Sequence, residues 1–170
     1  EEFVESGARG LYATFVMAGL ASIGLWTALF ARDFSLEYVA ANIGQNTPRQ
    51  YVFTALWSGH AGSTLFCATI LSLCGTIAIA SSRRRSRELV PWATGTVGVI
   101  LVALLATTCF AANPFARLDV TPLDGRGMNP LLQSPATALH QPMLYVGFVA
   151  SALPFAFAIG ALLARRLDAD

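Results

Sequence analysis

The chain's two histidines, His60 and His140, are its best-placed metal ligands. His140 stands where a polar, proline-punctuated stretch (Asn129-Pro-Leu-Leu-Gln133, then Pro135) gives way to an apolar run, and Gln141, Pro142 and Tyr145 follow it. His60 has a glycine on each side in Ser58-Gly59-His60-Ala61-Gly62-Ser63. Neutral imidazole is the usual protein ligand for haem iron, and glycine allows a flat ligand or another helix to come close. One reading pairs the two imidazoles on a haem. The other makes each an interfacial polar residue bonded to backbone or water. Spacing leaves both open.

Other chemistries find little support. Asp33, Glu37, Asp119 and Asp124 fall between the long apolar runs and no carboxylate lies within one. An ion-coupled transporter or proton pump needs ionisable groups at membrane depth. There is no HExxH, no phosphate-binding glycine loop and no nucleophile-histidine-acid spacing, and Asp124-Gly-Arg-Gly127 reads as a turn. Cys67, Cys74 and Cys109 lie inside apolar runs without metal-type spacing, and read as small packing residues.

The elements that position these residues are membrane spans. Of 170 residues, 55% are hydrophobic and 12% charged, against about 25% charged in soluble domains. The charges crowd between four apolar runs, 11–31, 58–80, 90–112 and 139–164, each close to the ~20 residues that cross a bilayer. The expected fold class is therefore an all-α, polytopic integral membrane protein: one transmembrane domain over 1–170 with external loops at 32–57 and 113–138 and a basic cytoplasmic loop at 81–89. Arginine placement sets the orientation. Arg9, Arg83, Arg84, Arg85, Arg87, Arg165 and Arg166 fall on one side; Arg32, Arg49, Arg117 and Arg126 fall on the other. Both termini are expected in the cytoplasm and the long loops outside, in the periplasm of a Gram-negative cell. A net charge of +1 gives no reason to expect nucleic acid as a partner. The chain begins with Glu1 and shows no signal peptide, so further sequence is expected ahead of it.

Local signals refine this outline. A helix through 51–80 would be about 45 Å long, so its first turns are expected at the interface, with Trp57 as a belt residue. Ser134-Pro135 reads as a cap followed by the first helical position, starting a short helix that carries His140 to the membrane surface. Pro154 predicts a kink in the last span. The small-residue pairs Ala18/Ser22 and Gly147/Ser151 are candidate sites of close helix approach.

Several stretches, in order, resemble one family: Asp33-Phe-Ser-Leu-Glu-Tyr-Val-Ala-Ala-Asn42, Trp57-Ser-Gly-His-Ala-Gly-Ser63, Asn113-Pro-Phe115, Asp124 through Pro135, His140-Gln-Pro-Met-Leu-Tyr-Val-Gly147 and Pro154-Phe-Ala-Phe-Ala-Ile159. Together they span about 33–165 and resemble the CcmF family, the haem lyase membrane subunit of cytochrome c maturation. The resemblance implies haem held at the external membrane face and aided attachment of its vinyl groups to apocytochrome c. It places His140 as an axial ligand of the haem iron, because His140-Gln-Pro-Met-Leu-Tyr145 matches the family's His-Pro-Pro-x-Leu-Tyr motif.

The same resemblance makes Pro142, Tyr145, Asn129 and Gln133 supporting residues, with His60 and Trp57 secondary. Residues 113–133 would lie over the haem edge, with Tyr145 and Phe148 as apolar contacts. The family's second haem histidine and its tryptophan-rich WWD segment lie further along, and the tryptophans here, Trp26, Trp57 and Trp92, are scattered. The chain is thus expected to be an N-terminal portion, a fragment or a split-gene product lacking the family's first span, and inactive as this segment alone. Its implied partners are the WWD-containing portion, the haem chaperone CcmE, apocytochrome c, a CcmH-type thiol-reducing partner and membrane lipid, in a bacterial inner membrane. Two departures stand out. Gln141 replaces the family's first motif proline, which would loosen that turn, and Ala61 replaces a glutamate. Against this stand a bis-histidine haem b electron-transfer anchor and a haem-free transporter or channel scaffold.

Overall fold

The computed structural model describes residues 2–82 and 88–165. Four helical stretches are long and apolar enough to cross a membrane: Glu5–Ala31, His60–Ser82, Val90–Ala111 and Pro135–Leu163. In hydrocarbon every backbone polar group needs an internal partner, so long apolar segments settle as helices. The chain is an all-α, polytopic membrane protein. Arg83, Arg84, Arg85, Arg87 and Arg166, on which the predicted orientation mainly rests, lie outside the described residues.

Helix α1 (Glu2–Ala31) packs along α4 (His60–Ser82), α4 along α5 (Val90–Ala106), and α5 along α7 (Ala152–Leu163). Of the four spans, α4 is the most enclosed. Close approach depends on small residues. Ala18 and Ser22 face α4, where Ser22 Oγ bonds to the Ala18 carbonyl at 2.9 Å and lies 3.1 Å from Thr69 Oγ1. Gly75 meets Val97 on α5, and Gly160 meets the Leu89 carbonyl and Trp92 Cβ. The other predicted pair behaves differently: Gly147 and Ser151 are exposed. The span hydroxyls turn inward, as where Thr64, Thr69 and Thr76 donate to the carbonyls four residues back.

Breaks in the spans have local causes. Helix α5 ends in a π-helical turn, Thr107–Ala111, closed by Ala112 N–H to the Thr107 carbonyl at 2.8 Å. At its start, the Thr107 and Thr108 hydroxyls donate to the Ala103 and Leu104 carbonyls, competing with the backbone ladder. The last span divides at Ser151 into α6 (Pro135–Ala150) and α7. Pro154 has no N–H and its ring displaces the carbonyl four residues earlier, so the break lies one turn before the proline.

The two segments expected from arginine placement to be external, 32–57 and 113–138, form a packed layer at one end of the bundle. Short helices α2 (Glu37–Asn42) and α3 (Arg49–Thr54) lead into a 3-10 turn, Ala55–Trp57, before α4 begins at His60. Residues 51–80 are therefore not one helix: the chain breaks at 55–59, and the second span starts close to its expected boundary at 58. Trp57 is 6% exposed and belongs to a buried cluster with Leu25, Leu29, Phe34, Val39, Ile43, Leu56 and Met128. It is not a lipid-facing belt residue: the break after α3 folds its ring under the external layer.

Among the described residues one antiparallel bridge, Leu36 to Arg117, joins these two segments. Glu37 N–H reaches the Ala116 carbonyl at 2.9 Å, Leu118 N–H the Ser35 carbonyl at 2.8 Å and Arg126 N–H the Ala40 carbonyl at 2.7 Å. Asp124 Oδ1 adds a side-chain tie by accepting from Gln45 N–H and Gly125 N–H, both at 2.7 Å. Gly125 makes this seam possible, because a Cβ there would overlap the Ile43 carbonyl.

Candidate functional site at the external ends of two helices

The start of α4 is held by one buried phenol. Gly59 N–H donates to Tyr38 Oη at 3.1 Å, and Tyr38 O–H has the Ala55 and Leu56 carbonyls at 2.9 and 3.0 Å as acceptors. Asn42 Nδ2 donates to the Tyr38 carbonyl at 2.8 Å, and Ser58 Oγ to Asn42 Oδ1 at 3.1 Å. Burial pushes the phenol up to about 12 from an ordinary 10.0, with the Gly59 backbone bond acting the other way. The folded value is raised, so this contribution to stability is fully present below pH 10 and is lost as pH climbs through about 12. Alkaline titration of phenolate absorbance should show one of the four tyrosines ionising late, and Tyr38→Phe should remove that component. Absence of a late component, or its persistence in Tyr38→Phe, would contradict this placement.

His60 opens α4 at the edge of an external cleft of about 410 Å³, lined by Glu37, Asn42, Gly59, Phe110, Asn113 and neighbouring alanines. The π-helical turn brings Phe110 to this rim, 91% exposed. His60 is exposed too. Sequence reasoning missed the cleft, since its walls come from three separated segments.

His140 is the sixth residue of α6, which starts at Pro135 with Ser134 in the cap position. The Ser134 hydroxyl makes no cap bond; its carbonyl accepts from Ala138 N–H at 2.9 Å. The helix runs unbroken past Gln141 and Pro142. Gln141 therefore lies in a helix body, where its N–H can join the ladder, and loosens no turn. Asn129 and Gln133 act on their own segment: Asn129 Oδ1 accepts from Leu131 N–H at 3.0 Å, and Gln133 Nε2 donates to the Met128 carbonyl at 2.9 Å. With Met128 buried, these bonds fix the approach to α6.

Tyr145 turns toward α4. Its hydroxyl donates to Ser63 Oγ at 3.1 Å, and its ring meets Phe66 edge-on at 6.3 Å between centroids. Phe66 continues to Trp57 at 5.3 Å, Trp57 to Phe53 at 5.6 Å and Phe53 to Trp26 at 4.9 Å. At 1.5 Å per residue, His60 lies about 4.5 Å and His140 about 7.5 Å outward of this Ser63–Tyr145 level. Both imidazoles thus occupy the same end of the bundle. Five residues turn a helix by roughly 140°, so His140 sits well round α6 from the side that meets α4.

Exposed with His140 on α6 are Met143, 73% exposed, and Leu144, 58% exposed. Gly147 follows two turns on, with nothing within 4 Å of where a Cβ would stand. The His140 imidazole has no hydrogen-bond partner among the described residues. An unengaged imidazole on an apolar strip with an open glycine fits a flat apolar ring ligated from one side. Among the described residues no three His, Cys, Asp or Glu side chains converge.

Fold and site together define a class: a polytopic helical membrane protein with a packed layer braced over one end of its helices, where two imidazoles are displayed. The sequence model for the cytochrome C assembly protein family matches residues 57–169, and the chain belongs to that family. It is 38% identical over 97% of its length to the cytochrome c-type biogenesis protein ccl1 of Rhodobacter capsulatus, covering 26% of that relative. It is 41% identical to the cytochrome c-type biogenesis protein CcmF of Pseudomonas aeruginosa over 87% of this chain and 23% of the relative. For CcmF of Escherichia coli K12 the values are 38%, 91% and 24%. The chain thus spans about a quarter of the length of these relatives. No solved structure matches it.

Proposed function

We propose that this chain contributes one axial imidazole, His140, to haem at the external membrane face during cytochrome c biogenesis. The observation that carries the reading is the unengaged, exposed imidazole on an apolar helix face at the external end of α6. The family names of the relatives support the setting. Haem, once bound, would supply the vinyl groups that become thioethers. The chain's part is to hold and orient: the Met128–Gln133 tie fixes the approach, α6 carries the ligand, and Met143, Leu144 and Gly147 offer the apolar surface. Positioning of this kind dominates when two reactants are brought together.

The second ligand is assigned to a WWD-containing portion of the family, with CcmE, apocytochrome c and a CcmH-type partner as the other components. The setting is a bacterial inner membrane, with both termini cytoplasmic. His60, Trp57, Asn129, Gln133 and Pro142 are assigned to the frame around the ligand. Pairing of His60 with His140, the electron-carrier alternative, is disfavoured because His140 lies well round α6 from the side that meets α4.

The test is to co-produce the chain with the remaining family segments and record reduced-haem spectra. His140→Ala should lose most of the haem and His60→Ala should retain it. Haem unchanged in His140→Ala removes the reading. Loss in both variants, with haem bound by this chain alone, would establish the bis-histidine alternative. No haem under any condition would favour a scaffold without it.

A further inference from the structure

Helix α6 is weakly held for an element that carries a ligand. Val149 is its one buried residue. Most of its large side chains are exposed: Leu139, Met143, Leu144, Val146 and Phe148. The rotation of such a helix is set by few contacts, and rotation decides where His140 stands. Among the described residues one side-chain hydrogen bond joins α6 to α4, from Tyr145 Oη to Ser63 Oγ at 3.1 Å.

The acceptor is itself fixed. Ser63 Oγ donates to the Gly59 carbonyl at 2.8 Å, with the Trp57 carbonyl at 3.0 Å. The Gly59 amide is gripped by buried Tyr38. A continuous polar chain therefore runs from α2 through the start of α4 to α6: Tyr38, Gly59, Ser63, Tyr145. Its last member stands five residues from His140 on the same helix. The ring is buttressed separately by Phe66, so the hydroxyl is free to act as a rotational stop while the ring supplies packing.

We propose that Tyr145 is a positioning residue for His140, and that Ser63 is its anchor. This rests on the reading of His140 as an iron ligand. It assigns Tyr145 to the interhelical contact in place of the direct apolar contact with haem that the resemblance implied. The hydroxyl bond selects one rotational setting of α6. Without it, the helix keeps its fold and ring packing but samples settings in which the imidazole is displaced from the iron.

The experiment uses the chain co-produced with the remaining family segments, comparing the parent with Tyr145→Phe, Ser63→Ala, the double variant and His140→Ala. The readout is displacement of the axial ligand from reduced haem by carbon monoxide, followed in the Soret band, with thermal unfolding as a control. A neutral hydrogen bond of this kind corresponds to roughly a fivefold change in an equilibrium, so Tyr145→Phe should be displaced at about one-fifth of the parent's carbon monoxide concentration. Ser63→Ala should match it, and the double variant should go no further, because both remove one bond. Ser63→Ala keeps the tyrosine intact and serves if Tyr145→Phe folds poorly.

Unchanged displacement in Tyr145→Phe and Ser63→Ala, with haem lost in His140→Ala, overturns the positioning role and leaves the ligand reading standing. Additive effects in the double variant overturn the pairing. Haem retained in His140→Ala removes the ligand reading and this inference with it.

Discussion

Gly62→Ala is expected to unfold the external end of α4. Gly62 is buried in the first turn of the helix, and a methyl there would overlap the Leu56 carbonyl and the Tyr38 hydroxyl. Neither neighbour can yield cheaply. Leu56 belongs to the buried 3-10 turn, and Tyr38 is held by Ala55 and Gly59. Overpacking typically destabilises by about 1–3 kcal/mol, and the obstruction here is backbone and a fully bonded phenol, so the effect belongs at the top of that range. In detergent this should lower the unfolding temperature by roughly 5–10 °C. Gly98→Ala is the control: nothing stands within 4 Å of its added methyl, and its unfolding temperature should hold. Equal behaviour of the two variants would show that the close approach of Tyr38 and Leu56 to Gly62 does not govern stability. Because Tyr38 anchors the turn before His60, the same substitution should also remove the late-titrating phenol.

Trp57→Ala should be comparably damaging for a different reason. The indole is 6% exposed and lies between Phe53 and Phe66, with centroids at 5.6 and 5.3 Å. Truncating a buried aromatic of this size typically costs about 3–5 kcal/mol, part of it the cavity left behind. Phe66 loses its support on one side, and Phe66 is the ring on which Tyr145 rests. Loss of stability and weaker holding of α6 should therefore appear together, as a lower unfolding temperature and a lower haem yield from the assembled protein. Trp57→Phe, which keeps most of the volume, should recover the larger part of both. A Trp57→Ala protein less than about 1 kcal/mol destabilised would show that the aromatic column is not a structural unit.

Apolar runs of about 20 residues leave the backbone one solution in hydrocarbon, so the all-helical, membrane-spanning class was legible from composition alone. Ser134-Pro135 marked the start of α6 correctly, since a proline's fixed φ and missing N–H suit the first helical position. Pro154 announced a break through the same missing donor, although the break itself falls at Ser151. These signals are local, and local backbone chemistry is what a linear sequence carries openly.

The misplacements arose where distant segments meet. Trp57 looks like an interfacial belt residue beside an apolar run, and only the break between α3 and α4 buries it. Tyr145 carries no sign in the linear sequence of its partner on another helix, and only the crossing of α4 and α6 turns its hydroxyl to Ser63. Gln141 read as loosening a turn, and α6 instead runs straight through it. The cleft at His60 has no signature in order along the chain, since α2, the head of α4 and the π-helical turn supply its walls. The sequence by itself determined that this protein is a set of membrane helices and that His60 and His140 are its two imidazoles. Tertiary structure decided which way those residues face, because the rotation of a span is set by its neighbours: Tyr38 under Gly59, Ser63 against Tyr145, and Gly125 in the seam between the external segments.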